Sequence, residues 1–303
     1  MSVLRCRICN HGEAISLGEI PNCGEFAGQQ VSPAIKGGEL WKCQDCGSMF
    51  RYPSLSPAEY LALYEKASSE VWEGSESLRK DFATINKCLD SHVGGSILDI
   101  GCYAGGFLAG ISDKFKKYGV EPSGLASKSA AFKGINILGR TLADLECKSD
   151  FDVVVSIDVI EHVLDIEAFL VDALARVNKS GILIISTGNP DCFYWKRIFK
   201  AKFWYCSYPE HLTFPSYKYF SEFARRHGLS PPEQIRFKYM ELKFMERFSK
   251  FIRYATFSFS PAIYQVLRIM RGITGRSTSI SSGAPVSPIG VFSDHQVIIF
   301  KNQ

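Results

Sequence analysis

The chain has 303 residues, 46% of them hydrophobic and 22% charged, with a formal net charge of +4. This composition fits one large folded domain or two smaller ones and excludes a disordered or fibrous chain. The mild charge argues against a nucleic-acid binder, which needs a clustered basic face. Met1 to Asn10 holds no apolar run, so no secretory signal is expected. The nearest approach to a spanning helix, Tyr254 to Leu267, is too short and carries Pro261.

Four of the ten cysteines form two pairs, Cys6-Arg-Ile-Cys9 and Cys43-Gln-Asp-Cys46. Two residues between thiolates let one tight turn present both sulfurs to a single ion, and two such turns complete a tetrahedral site. Asn10 and Gly47 follow the pairs, and both tolerate the left-handed backbone a knuckle needs. We expect Cys6, Cys9, Cys43 and Cys46 to hold a structural Zn2+ with no open coordination position. Ala14–Leu17 and Glu39–Lys42 read as short strands between the pairs. So small a segment would draw much of its folding free energy from the metal. Scattered reduced thiols and the missing signal favour a cytoplasmic chain.

Ser56-Pro57-Ala58-Glu59 is a helix start, with an N-cap residue before Pro. A second helix is expected over about Ser77–Leu89, with Leu78, Phe82, Ile85 and Leu89 on one stripe. Then Ser96–Phe107, SILDIGCYAGGF, reads as a buried strand, a glycine turn and a helix start, the geometry of a nucleotide-cofactor cradle. Phe107–Lys116 is expected to be helical and Tyr118–Glu121 a second strand. Its closing carboxylate is placed to accept both hydroxyls of a ribose. Ser123–Phe132 (helix), Ile135–Leu138 (strand), Phe151–Ile157 (strand), Asp165–Val177 (helix) and Ser180–Thr187 (strand) continue the alternation. Such alternation implies a parallel sheet with helices on both faces.

The order ILDIGCYAGGF, GVEPS, FDVVVSIDVIEHVLD, GILIISTGNP resembles the class I S-adenosylmethionine-dependent methyltransferases. Its turn is Asp99-x-Gly101-x-x-x-Gly105, not a dinucleotide GxGxxG. The resemblance covers about residues 80–240 and the last strand. It implies that Asp99, Gly101, Tyr103 and Gly105 line the methionine and ribose end of S-adenosylmethionine. Glu121 would hold the ribose diol, Leu142 and Ala143 would flank the adenine, and Ile157 and Asp158 would border the methionine.

Asp158-x-x-Glu161-His162 would put three polar groups at helical spacing if the segment is helical. Quinone-biosynthesis methyltransferases resemble it and use such groups for a divalent ion or a substrate contact. His162 as general base, as loop anchor or as metal ligand all stay open. His211, in Pro209–Phe214, is similar to the family's HLxFFS segment and is the second candidate base. Phe193–Tyr208, aromatic with interleaved lysines and arginine, fits a cap over the sheet, a stacking surface for sugars or bases, or a membrane face.

Ser216–His227 reads as a helix, Gln234–Glu241 as a sixth strand and His295–Lys301 as a seventh, the family's antiparallel one. Between them a basic, apolar segment over about 242–271 fits a bilayer surface, a lid or a dimer contact, and Thr274–Pro288 reads as a loop.

The expected organisation is a zinc-binding module over 1–53, connector helices over 54–95 and a methyltransferase domain over 96–303, with a helical insertion at about 242–291. The fold is α/β, a Rossmann-like seven-stranded methyltransferase sheet beside a small zinc-ribbon-like module. Paired knuckles on this fold resemble the sugar methyltransferases of surface-polysaccharide pathways. The expected reaction is O-methylation of a sugar, glycan or related small molecule. A quinone or lipid-type acceptor at the inner face of the membrane, an RNA, and an inactive binding module are the alternatives. The oligomeric state has no signature in the sequence.

Overall fold

The computed structural model describes residues 4–26, 29–66, 79–145, 151–239, 243–260, 262–264, 266–267 and 293–302. The first six strands are β1 (Leu4–Arg5), β2 (Glu13–Glu19), β3 (Cys23–Phe26), β4 (Gln29–Ile35), β5 (Glu39–Cys43) and β6 (Met49–Tyr52). They lead into α1 (Pro57–Lys66) and α2 (Lys80–Leu89). The alternating part comprises β7 (Gly95–Ile100), α3 (Gly106–Ala109), β8 (Phe115–Val120), α4 (Gly124–Phe132), β9 (Asn136–Gly139), β10 (Phe151–Ile157), α5 (Ile166–Leu174) and β11 (Val177–Gly188). The chain then forms β12 (Thr213–Phe214), α6 (Tyr217–Arg226), β13 (Glu233–Phe237), α7 (Phe244–Phe259) and β14 (His295–Lys301).

The large sheet has seven strands in the order β13-β14-β11-β10-β7-β8-β9. β7, β8, β9, β10 and β11 are mutually parallel, while β14 runs antiparallel to both β11 and β13. Successive residues feed opposite faces. Leu98, Ile100, Val154, Leu183 and Phe300 pack under α5 and α6; Ile97, Val153, Val155, Ile184 and Ile299 pack with Ile85 and Leu89 of α2. Both faces are covered, which is why β10 and β11 read as continuous apolar runs.

The expected helix over Phe107–Lys116 is cut short. It closes at Ala109, and Phe115–Lys117 are drawn into β8 beside Gly95–Ile97. Phe107, Leu108, Ile111 and Phe115 are all buried, so the apolar pattern serves a turn and a strand instead of one helical stripe. Ser77 and Leu78 of the expected second helix, and Thr274–Pro288, lie outside the described residues.

A second sheet, β1-β2-β5-β6-β12, is built from the amino-terminal strands but takes its last strand from Thr213–Phe214. The Phe193–Tyr208 segment bridges the two sheets. Trp195, stacked on Phe203 at 4.8 Å, clusters with Leu40 and Met49 of the small sheet and with Tyr254 of α7. On the other side, Trp204 donates to Asp294 Oδ2 at 3.2 Å, just before β14. A Cβ on Gly188, the last residue of β11, would come within 2.4 Å of the Tyr205 ring. The segment is therefore a cap wedged between the sheets. Among the described residues, no helix is long and apolar enough to cross a membrane.

Candidate active site and metal centre

The carboxyl ends of β7, β8 and β10 gather the residues singled out in the sequence. β7 delivers Asp99, which is 3% exposed. The turn after it bends at Gly101 (φ +75°), Tyr103 (φ 47°) and Gly105 (φ +77°). A Cβ on Gly101 would meet Val159 Cγ2 at 2.7 Å, so glycine is needed both for conformation and for space. Glu121, just past β8, is 7% exposed. Its two oxygens accept the backbone N–H groups of Tyr103 at 2.9 Å and Ser123 at 2.8 Å. These bonds fix the plane of the carboxylate across the turn, and each oxygen keeps a lone pair for a further donor.

Burial raises Asp99 well above the usual carboxylate range, with the Glu121 charge adding to the effect; burial likewise raises Glu121. Asp99 Oδ1 and Asp158 Oδ1 are buried without a hydrogen-bond partner. Buried acceptors of this kind are costly unless a donor reaches them. A cofactor carrying ribose hydroxyls and a cationic amino acid supplies such donors, so these residues fit S-adenosylmethionine. Leu142 sits in the core beneath α5 and Ala143 is exposed beside it, in a single turn over Leu142–Asp144. Ile157 and Asp158 are half-buried at the end of β10.

The Asp158–His162 segment is not an α-helix. Asp158 is left-handed (φ 53°), and only Ile160–His162 turn, as a 3₁₀ helix. Asp158 is therefore turned away from the other two, while Glu161 and His162 stay close to each other. Asp158 Oδ2 pairs with Arg79 Nη2 at 2.8 Å and receives Tyr239 Oη at 3.4 Å, and Arg79 also forks onto Asp81. Glu161 points inward, accepting Thr187 Oγ1 at 2.9 Å and a close bond from the Tyr205 hydroxyl. Burial and the neighbouring Asp158 push Glu161 up to about 8.

His162 meets His211 ring to ring, centroids 4.9 Å apart. His162 Nδ1 lies 3.1 Å from the Glu210 carbonyl and His211 Nδ1 2.8 Å from the Tyr205 carbonyl. A carbonyl only accepts, so each Nδ1 carries the proton and Nε2 is the basic nitrogen. Burial lowers both histidines, His162 to about 4, so both are neutral at pH 7. Nitrogen or oxygen ligand atoms of Glu161, His162 and His211 lie within 4.8 Å of one another. Tyr60 joins this end of the site, donating to the Glu210 carbonyl at 2.8 Å. Sequence reasoning missed Arg79, Tyr239 and Tyr60, which come from segments far along the chain and belong to no motif, and it missed Glu210 beside His211, which acts through its backbone carbonyl.

The four cysteines converge as the spacing predicted. Cys6 Sγ and Cys46 Sγ are 3.9 Å apart, and Cys9 Sγ and Cys43 Sγ 3.7 Å apart. An ion bonded to four thiolates at about 2.3 Å sets its sulfurs about 3.8 Å apart. Asn10 (φ 61°) and Gly47 (φ 76°) make the left-handed turns. Backbone N–H groups of Ile8 and Cys46 point at Cys6 Sγ and Cys43 Sγ, both at 3.4 Å. The residues fit a structural zinc ion.

Residues 75–234, more than half of the chain, match the family model described as a methyltransferase domain. The chain belongs to that family. The matched region is a class I, S-adenosylmethionine-dependent type of methyltransferase domain. A ubiquinone biosynthesis O-methyltransferase of Rhodopseudomonas palustris (strain BisB5) is 28% identical to this methyltransferase over 48% of its chain and 65% of the relative. The Rickettsia prowazekii protein of the same name is 32% identical over 38% and 45%. The methyltransferase thus spans less than two thirds of the length of the curated relatives it matches. Among solved structures, a Haloferax volcanii methyltransferase in complex with its activator superposes with a TM-score of 0.50 at 13% identity, covering 76% of this chain and 92% of that one. That likeness shows the fold.

Proposed function

We propose that the enzyme transfers the methyl group of S-adenosylmethionine to a hydroxyl of a small-molecule acceptor, with a sugar or glycan as the preferred class. The observation that carries this reading is the His162–His211 pair, two neutral imidazoles with both Nδ1 atoms pinned to carbonyls, beyond the end of β10. Bound there, the cofactor supplies a sulfonium-activated methyl group. Asp99, the Gly101–Gly105 turn and Glu121 hold the donor, with Ile157 and Asp158 toward its methionine and Leu142 and Ala143 toward its adenine. Nε2 of one histidine takes the hydroxyl proton, and the fixed geometry aligns the acceptor oxygen with the methyl. The polar groups at the pair, the Tyr60 hydroxyl and the Glu210 carbonyl, suit an acceptor rich in hydroxyls. Zinc in the four-cysteine centre is structural in this reading.

A second reading, a phenolic quinone-type acceptor at a membrane surface, is favoured by the names of the relatives and by α7. Phe244, Met245, Phe248 and Phe259 on that helix are 75%, 72%, 54% and 69% exposed. Lys243, Lys250 and Arg253 add positive charge to the helix, as anionic lipid requires.

The test is turnover with isotope-labelled methyl donor on a panel of nucleotide sugars, oligosaccharides, catechols and amines. Labelled sugar is expected. Label on catechol alone replaces the first reading with the second, and label on amines alone overturns hydroxyl transfer. S-adenosylhomocysteine at 100 times its Kd should add about 2.7 kcal/mol of stability.

A further inference from the structure

Arg51 is a buried cation with carbonyl oxygens for partners. It lies on β6, is 3% exposed, and spreads its guanidinium over four of them. Nε donates to His211 O at 3.2 Å, Nη2 to Cys206 O at 2.6 Å and to Tyr208 O at 2.9 Å, and Nη1 to Gly37 O. Three of the four acceptors belong to the Cys206–His211 loop, and the fourth to the turn before β5. Burying a guanidinium is costly unless its donors are used, and a planar fork aimed at several carbonyls in one place fixes their relative positions. The Arg51 backbone N–H also donates to Leu212 O at 2.9 Å, and Leu212 N–H donates to Glu161 O at 2.8 Å. One strand thus grips the backbone on both sides of His211 and, one bond further, the turn that carries His162.

The other end of that strand is tied to the cysteine centre. Cys43 N–H donates to Ser48 O at 2.9 Å. Ser216, which caps α6, donates its hydroxyl to Cys46 O and its backbone N–H to Ser48 Oγ at 3.0 Å. Metal knuckle, β6 and His211 loop form one continuous hydrogen-bonded unit. Among the described residues, these bonds run as far as the Glu161 turn and end on none of Asp99, Gly101, Gly105 and Glu121.

From this geometry we infer that Arg51 is a positioning residue for His211, and that the four-cysteine centre is registered at the acceptor end of the site and not at the methyl-donor end. The inference rests on His211 standing at the acceptor, as proposed above. Loss of Arg51 frees the loop and lets the His211 ring leave the Tyr205 carbonyl. Loss of the metal shifts the same loop through β6.

The experiment compares the zinc-loaded full-length protein with R51M, R51K and H211A. Imidazole nitrogen NMR reads the His211 tautomer, calorimetry reads S-adenosylhomocysteine affinity, and turnover uses whichever acceptor the panel yields. The expected result is unchanged S-adenosylhomocysteine affinity within twofold for all variants. In R51M the His211 signals should lose the single Nδ1–H tautomer and kcat should fall at least tenfold. R51K, which keeps the charge but not the fork, should lie between. R51M combined with H211A should be no slower than H211A alone. Chelation of the wild-type protein should move the His211 signals while cofactor affinity holds. An R51K or R51M protein with unaltered His211 signals, or losses in the double variant that simply add, would overturn the assignment. If the wild-type protein binds S-adenosylhomocysteine but methylates no hydroxyl, the acceptor reading fails. The NMR arm still decides the role of Arg51, and R51K decides it if R51M does not fold.

Discussion

Glu121 does two jobs with one carboxylate. It ties the glycine turn to the end of β8 through two backbone N–H groups, and in the proposed reading its remaining lone pairs accept the ribose hydroxyls. Glu121→Ala should therefore weaken S-adenosylhomocysteine binding at least tenfold by calorimetry, since hydrogen bonds to a charged group contribute about 1.5–3 kcal/mol. The fold should survive; unchanged affinity would remove the residue from the ribose site. His162 makes a pH prediction. Its pKa lies at about 4 in the folded protein, below the ordinary 6.5, because burial disfavours the charged ring. A depressed histidine contributes stability that is complete above pH 6.5 and is lost as pH falls toward 4. Denaturant titrations should show the wild type losing about 2–3 kcal/mol more than His162→Gln between pH 7 and pH 4. Equal losses would show that the ring is not held neutral by the fold. These individual groups were legible because motif spacing names them. Their partners were not: nothing near Arg79 or Arg51 in the sequence announces Asp158 or His211.

At the scale of elements, legibility followed the kind of burial. The Phe151–Ile157 and His295–Lys301 strands have the bounds expected from sequence, because a strand covered on both faces leaves an unbroken apolar run. The glycine turn and the cysteine knuckles were readable because backbone chemistry dictates their residues. The segment after Phe107 misled because its apolar spacing suits a helix as well as it suits a turn and an inner strand, and pairing with β7 decided between them. α7 was expected to be basic and amphipathic; Tyr254 is buried against the cap while Phe244, Phe248 and Phe259 are exposed. Phe248→Glu should leave the melting temperature unchanged, as expected for a residue 54% exposed. If the helix meets lipid, the substitution should abolish co-sedimentation with anionic vesicles; a wild-type protein that never sediments with them would remove the support α7 lends to the quinone reading. For the knuckles, burial pushes the Cys43 thiol up to about 11. Zinc must displace that proton, so its binding should weaken as pH falls. Cys43→Ser should lose zinc by elemental analysis and at least ~3 kcal/mol of stability. Retained stoichiometric zinc would show that another ligand completes the site.

For the whole molecule, the pairing of Thr213–Phe214 with Met49–Phe50 has a consequence for synthesis. The small sheet opens the chain but cannot finish until residue 214 has left the ribosome. While the parallel sheet is being made, β6 presents an open edge bearing Met49 and Phe50, both of which end fully buried. Exposed apolar edges of this kind recruit other strands. Nascent chains stalled before residue 213 should partition into the pellet, and those released past Lys301, once β14 has also covered the edge of β11, should remain in the supernatant. Zinc captured early by Cys6, Cys9, Cys43 and Cys46 would hold β5 and β6 in register during that interval. The metal would then act first as a guard on a half-made protein, and only later as part of an enzyme.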